Sequence, residues 1–195
     1  MVWSRLCAYL QRFVDADQGL LDLGTGYGEF SRFTNASAKW GLDVSSDLVK
    51  HWAPEVTPLV QSALEPTPLE PGQVGSVFAS NFFEHFTLAE GRQILSEARR
   101  VLSPGGKLIV VQPNFRLEPN RYFDDYTHQQ IYSDVSFCDF LQSLGWKVTH
   151  CEPRFMPFTM KSRMPTAGWL VSLYLSLPYR PMAGQFMVVA ERPEG

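Results

Sequence analysis

The chain has few cysteines, no excess of basic charge and no long apolar run, and each scarcity removes a class of function. Its three cysteines, Cys7, Cys138 and Cys151, are odd in number and scattered. They offer neither zinc-ligand spacing nor a disulfide framework, and they point to reduced thiols in a cytoplasmic protein. The formal net charge is -3 at pH 7. Dedicated nucleic-acid binders usually carry a basic excess, so no nucleic-acid partner is expected. No apolar stretch reaches the roughly 18 residues that a spanning helix needs, and Met1-Val2-Trp3-Ser4-Arg5 lacks the apolar core of a signal peptide. Disorder is equally disfavoured, because 45% apolar and 19% charged residues are ordinary globular values. For 195 residues the expectation is one domain, 1–195.

What the chain does have is concentrated in Leu20-Leu21-Asp22-Leu23-Gly24-Thr25-Gly26-Tyr27-Gly28-Glu29-Phe30. A short apolar run ends in an acid, and three glycines follow at alternate positions. A backbone that turns sharply off a buried strand and leaves room for a ligand against it needs residues without a Cβ. Dinucleotide folds use G-x-G-x-x-G to aim a helix N-terminus at a pyrophosphate. Here the third glycine arrives one residue early, Glu29 occupies the place it would need, and Asp22 would sit badly beside phosphate. An acid suits an ammonium or sulfonium group, so the pattern reads as a pocket for a nucleoside with a cationic amino-acid tail, a description that fits S-adenosylmethionine.

Strand and helix patterns alternate from residue 19 to residue 151. Strands are expected at Gly19–Leu23, Lys39–Val44, Val56–Gln61 (at a sheet edge, since Pro58 lies within it), Val74–Ala79, Lys107–Gln112, Trp146–Cys151 and Phe186–Ala190. Helices are expected at Leu6–Phe13, from Glu29 to Phe33, from Ser45 as N-cap to about Trp52, at Leu88–Leu102 and at Ser133–Leu144, the last closed by Gly145. In the Leu88–Leu102 helix, Leu88, Ile94, Leu95, Ala98 and Leu102 share the apolar side. This alternation implies a doubly wound α/β architecture with a parallel sheet.

These residues resemble the class I S-adenosylmethionine-dependent methyltransferases, of the type 11/12 kind, from about residue 19 to the C-terminus. Asp22-x-Gly24-x-Gly26-x-Gly28 matches the first motif of that family and Asp43 its ribose-binding acid. Val77 to Phe86 resembles the fourth-strand segment lining the methionine side, and Arg100 to Leu108 resembles its R-x-L-x-P-G-G-x-L turn. The resemblance implies a Rossmann-like, seven-stranded sheet of order 3-2-1-4-5-7-6 with strand 7 antiparallel. It also implies S-adenosylmethionine as cofactor, bound by Asp22, Gly24, Thr25, Gly26, Tyr27, Asp43, Val44, Ala63, Leu64, Ser80, Asn81 and Phe82. One departure concerns the adenine amino group. Relatives often place an acid after the third strand, where this chain has Gln61-Ser62-Ala63-Leu64-Glu65, and Ser62 or a backbone carbonyl would take its place. Gln112 to Arg116, Tyr122 to His128 and Pro157-Phe158-Thr159 further resemble methyltransferases of bacterial surface-glycan and lipid-linked sugar pathways. By that likeness the acceptor is a small molecule, a sugar or lipid-linked sugar methylated on oxygen. Other acceptors, such as a quinone, and a non-catalytic scaffold subunit are the alternatives.

Three groups are candidates for catalysis: His128 and Asp124 in the segment after the fifth strand, and His85 after the fourth. A sugar hydroxyl has a high pKa and benefits from a base, although His85 also reads as a structural histidine beside Glu84. The segment 113–128 carries Asn114, Arg116, Arg121, Tyr122, Asp124, Asp125, Tyr126 and His128, a mixture of aromatic and carboxylate groups suited to a polyol. Two Asp and one His within five residues of a loop make a poor ligand set, so no metal is expected. From Pro153 to Ala190 there is no Asp or Glu, and Ala167–Leu177 is apolar almost all round. The insertion 155–184 therefore reads equally as a helix for peripheral contact with the inner membrane face or as one buried on its own sheet or in a homodimer.

Overall fold

A computed structural model describes residues 2–157 and 168–193. The elements follow the chain as α1 (Val2–Leu10), β1 (Gly19–Leu23), α2 (Glu29–Phe33), β2 (Ala38–Asp43), β3 (Val56–Val60), β4 (Val74–Ser80), α3 (Leu88–Val101), β5 (Leu102–Pro113), α4 (Asp134–Ser143), β6 (Lys147–Glu152), α5 (Gly168–Ser176) and β7 (Gln185–Glu191). They build one seven-stranded sheet of order β3-β2-β1-β4-β5-β7-β6. β1 to β5 pair in parallel and β7 runs antiparallel between β5 and β6. The architecture is the doubly wound, Rossmann-like one that the motifs imply.

Alternation along the central strands explains why both faces are covered. Leu21, Val77, Leu108 and Val188 point to one side and pack with Ile94 and Leu95 of α3 and Phe137 and Leu141 of α4. Leu20, Phe78, Ile109 and Val189 point to the other and pack with Leu6 and Leu10 of α1, Phe30 of α2 and Leu175 of α5. β3 is an edge strand that pairs only with β2, with Pro58 opposite Gly41, and a proline without an N–H is tolerated there. α3 starts on a capping box, in which the Thr87 hydroxyl accepts from Glu90 N and the Glu90 carboxylate accepts from Thr87 N.

Several local expectations need correction. Leu88, the first residue of α3, is exposed and stands outside the helix's buried face. The segment after Ser45 is a 3-10 helix, Ser46–His51, and the Ser45 side chain caps nothing. β5 begins at Leu102, before the Pro-Gly-Gly turn, because Leu102 already pairs with Val74. The cysteines, scattered in sequence, include a pair in space: the thiols of Cys138 on α4 and Cys151 on β6 lie close enough to perturb each other's ionisation, lowering Cys138 and raising Cys151. In the insertion, α5 lies on the sheet with α1 and buries Val171, Tyr174 and Leu175, while Trp169 and Leu173 stay exposed. Phe158 to Ala167, which include Phe158-Thr159 and the basic Lys161 and Arg163, fall outside the described residues. Among those described, no helix is long and apolar enough to cross a membrane.

Candidate active site at the C-terminal edge of the sheet

Open parallel sheets bind ligands beyond the carboxyl ends of their strands, where the order reverses. In this fold that place lies between β1 and β4, and the glycine turn occupies it. Gly24, Gly26 and Gly28 all take left-handed backbone conformations, with φ of 63°, 56° and 76°. Space is also restricted: a Cβ on Gly24 would stand 2.5 Å from the Phe82 ring, and one on Gly28 2.8 Å from the Trp52 ring. Trp52 is 8% exposed and its Nε1 donates to Gly26 O at 2.7 Å, locking the turn from the β2 side. Its role had no local signature, since a lone tryptophan in a short helix carries no periodic signal.

Asp43 holds the other side of the turn. Its Oδ2 accepts from Gly26 N at 2.9 Å and its Oδ1 from Ser45 N at 2.9 Å. A carboxylate oxygen has a second lone pair, so the same group that ties β2 to the turn can still accept from ligand hydroxyls. Asp22 lies beneath the turn, and its Oδ2 accepts from the Ser31 hydroxyl at 2.5 Å. Burial pushes the Asp22 carboxyl up to about 7 against the lowering effect of the Ser31 bonds, with the nearby Asp43 charge adding to the rise. Thr25 is buried, and its hydroxyl donates to Asp22 O at 2.7 Å.

The other residues expected to contact the donor lie at or after the ends of β1 to β4. Tyr27 and Val44 are exposed, and Tyr27 tilts against His51 at 5.3 Å. Ala63 is buried and Leu64 half-buried after β3. Ser62 Oγ accepts from Leu64 N at 3.2 Å and, like Asp43, keeps a second lone pair for a ligand. Ser80 ends β4, and Asn81 follows in a left-handed conformation, φ 47°, its Oδ1 accepting from Gln185 Nε2 at 2.7 Å.

On the acceptor side the structure divides the candidates differently from the sequence. His85 and His128 come together, their rings 5.0 Å apart, around a third group, Glu84. Asp124 does not join them; it is exposed beside Arg121. Asp125 is the residue that does, through Thr127: the Thr127 hydroxyl donates to Asp125 Oδ1 at 2.5 Å and stands 2.9 Å from His85 Nδ1. Those Thr127 bonds hold the Asp125 carboxyl below its usual value. Burial pushes Glu84 up to about 8 and His128 down. Two members of the loop are interior supports rather than ligand groups. Asn114 donates to Asp134 and to Pro153 O, and Tyr122 OH donates to Gln130 O at 2.8 Å. Arg116 pairs with Asp134, whereas Phe123 and Tyr126 are exposed. A separate hollow of about 260 Å³ lies at the opposite end of the strands, beside Asp15, Gln18 and the 103–107 turn; the residues described above do not line it.

Residues 21–110 match the family model described as a methyltransferase domain. That match covers just under half of the chain and likens this part of it to the methyltransferase family. The matched span runs from β1 through most of β5 and so contains the glycine turn, Asp43 and Glu84-His85. A curated relative from Streptomyces fradiae, an uncharacterized protein in transposon TN4556, is 32% identical over 108 residues, which is 50% of this chain and 31% of that protein. The chain thus spans under a third of that relative's length. Among solved structures, a methyltransferase of Haloferax volcanii in complex with the Trm112 methyltransferase activator superposes with a TM-score of 0.73 at 18% identity, covering 98% of this chain and 90% of that one. A SAM-dependent methyltransferase from Archaeoglobus fulgidus gives 0.69 at 18% identity, over 97% and 94%. At these identities the superpositions establish the fold alone.

Proposed function

We propose that the chain is an S-adenosylmethionine-dependent methyltransferase that methylates a hydroxyl oxygen of a sugar or glycan-related small molecule. The observation that carries the donor half is the left-handed glycine turn held between Asp22 and Asp43. It leaves open backbone for a nucleoside, an acid for the ribose hydroxyls, and a second acid beneath for the methionine ammonium. The sulfonium is already activated, so alignment of oxygen, methyl carbon and sulfur supplies most of the barrier reduction. The acceptor half is supported by the exposed Phe123, Asp124 and Tyr126 on 113–128, which offer ring faces and carboxylate acceptors to a polyol, and by the Glu84, His85 and His128 cluster, which activates the hydroxyl. A second reading, a cofactor-binding subunit within a larger complex, is favoured by the Haloferax volcanii neighbour, which is solved with a protein activator.

Calorimetric titration with S-adenosylmethionine and with S-adenosylhomocysteine tests the donor half. Micromolar binding is expected, and Asp43→Ala weakens it by about 1–3 kcal/mol, the worth of charge-assisted bonds to the ribose. No binding by folded protein, or unchanged affinity in Asp43→Ala, refutes the assignment. Turnover on a panel of glycosyl acceptors separates the enzyme from the subunit reading, which requires donor binding without turnover.

A further inference from the structure

One group at the acceptor side is unexplained by methyl transfer alone. Glu84 sits in a single 3-10 turn, Phe83–His85, with no exposed surface, and both of its carboxylate oxygens lack a hydrogen-bond partner. A carboxylate taken out of water without partners costs several kcal/mol, and an orphan of this kind calls for a ligand or a functional explanation. The facing base does not supply one. His128 Nε2 stands 4.0 Å from Glu84 Oε1, beyond hydrogen-bond range, and His128 Nδ1 is itself buried and unpartnered.

His85 completes the arrangement. One ligand atom from each of Glu84, His85 and His128 lies within 4.8 Å of the others. The Thr127 hydroxyl gives its proton to Asp125 and so presents a lone pair to His85 Nδ1. Nδ1 then carries the ring proton and Nε2 is left as the basic nitrogen. A carboxylate steering an imidazole in this way is the usual outer support of a metal-bound histidine. The two halves are also stitched together, since Gln129 N and Gln130 N donate to Glu84 O at 2.8 and 3.1 Å and Gln129 Nε2 donates to His85 O at 2.8 Å.

We propose that Glu84, His85 and His128 form a binding site for a divalent first-row transition-metal cation that also holds the acceptor oxygen. Two imidazoles and one carboxylate are the donor set of such ions, whereas magnesium and calcium prefer all-oxygen sites. Bond lengths of about 2.0–2.2 Å require the three ligand atoms to draw in by roughly an ångström, within reach of side-chain rotation. Three protein ligands leave a position open. The role of the site rests on the donor reading above. The cation polarises the acceptor hydroxyl; the O–H bond breaks and its proton passes to solvent. The oxygen pair forms the bond to the methyl carbon, the carbon–sulfur bond breaks, and its electron pair returns to sulfur, giving the methyl ether and S-adenosylhomocysteine.

The test uses the full chain stripped with chelator, dialysed, and titrated with zinc chloride by calorimetry and with cobalt chloride by visible absorption. One equivalent of Zn²⁺ is expected to bind with a Kd of about 1 µM or tighter, and Co²⁺ to give a ligand-field band. Glu84→Gln and His85→Asn each weaken Zn²⁺ binding at least ~10-fold, while His150→Asn, at a histidine outside the cluster, leaves it unchanged. If Glu84→Gln fails to fold, the part-exposed His85 variant carries the test. Absent Zn²⁺ binding, or equal affinity in wild type and His85→Asn, overturns the site. S-Adenosylmethionine is titrated into the same stripped sample. Donor binding without metal binding overturns only the metal site; metal binding without donor binding supports the site and overturns the donor reading.

Discussion

Replacing Asp22 by Asn should stabilise the ligand-free protein, and only above acid pH. Burial holds the Asp22 proton to about pH 7 in the folded chain, against 3.8 for the ordinary group. The unfolded chain releases that proton first. Between those two pH values the native state therefore binds more protons than the unfolded state, and its stability falls as pH rises. The loss is absent below the lower value and complete above the upper. At 1.36 kcal/mol for each tenfold change, the ceiling is about 4 kcal/mol. Asparagine keeps an acceptor for the Ser31 hydroxyl and carries no charge, so it resembles the protonated acid at every pH. Urea unfolding of both proteins at pH 4.5 and pH 8 reads the effect as a difference of differences, which cancels every other titrating group. Asp22→Asn should exceed wild type by only about 1 kcal/mol at the lower pH, already above the unfolded value, and by up to about 4 kcal/mol at the higher. The same substitution should weaken S-adenosylmethionine binding, because a charge that destabilises the fold is retained where it serves a ligand. An equal stability difference at both pH values would refute the reasoning.

Gly24→Ala places a Cβ at φ 63° and 2.5 Å from the Phe82 ring; a loss of roughly 2 kcal/mol is expected, seen as a lower Tm together with weaker donor binding. Glu152 receives hydrogen bonds from Tyr9 OH, His150 Nε2, Arg12 and Arg180, joining α1 to β6 and to the segment before β7. Glu152→Ala strands the Arg180 guanidinium, 8% exposed, and should cost about 3–5 kcal/mol in urea unfolding. Burial opposes ionisation of Glu152, but the bonds from His150, Tyr9 and Arg180 outweigh it and hold its pKa down. Its contribution is thus present above the ordinary glutamate value and lost as pH falls through the depressed folded one, so the cost of Glu152→Ala should shrink in acid.

Much of the frame was legible because its signals are local. Strand β1 and helix α2 fall where their apolar runs and the glycine turn put them, and Pro58 correctly marked an edge. The errors are also physical. Leu88 satisfies the helical period of α3, yet it is exposed at the helix's first residue, and periodicity says nothing of how far the partner surface extends. Ser45 has an N-cap side chain, but the carboxylate of Asp43 takes its backbone N–H and the next turn tightens into a 3-10 helix. Asn114 and Tyr122, polar residues in a loop segment, became interior supports because Asp134, Pro153 and Gln130 lie close enough to satisfy them.

The sequence by itself determined the order of strands and helices, the left-handed turn and the two acids beside it. Those features depend on spacing over a few residues and on backbone sterics that only glycine escapes. Tertiary structure alone decided which polar side chains meet. Thr127 reaches His85 across 42 residues of chain, and His128 rather than Asp124 turns inward because the loop is pinned to the carbonyl of Glu84. Contact between side chains so distant in sequence follows from loop closure over the finished sheet, where packing and backbone hydrogen bonds choose one residue over its neighbour.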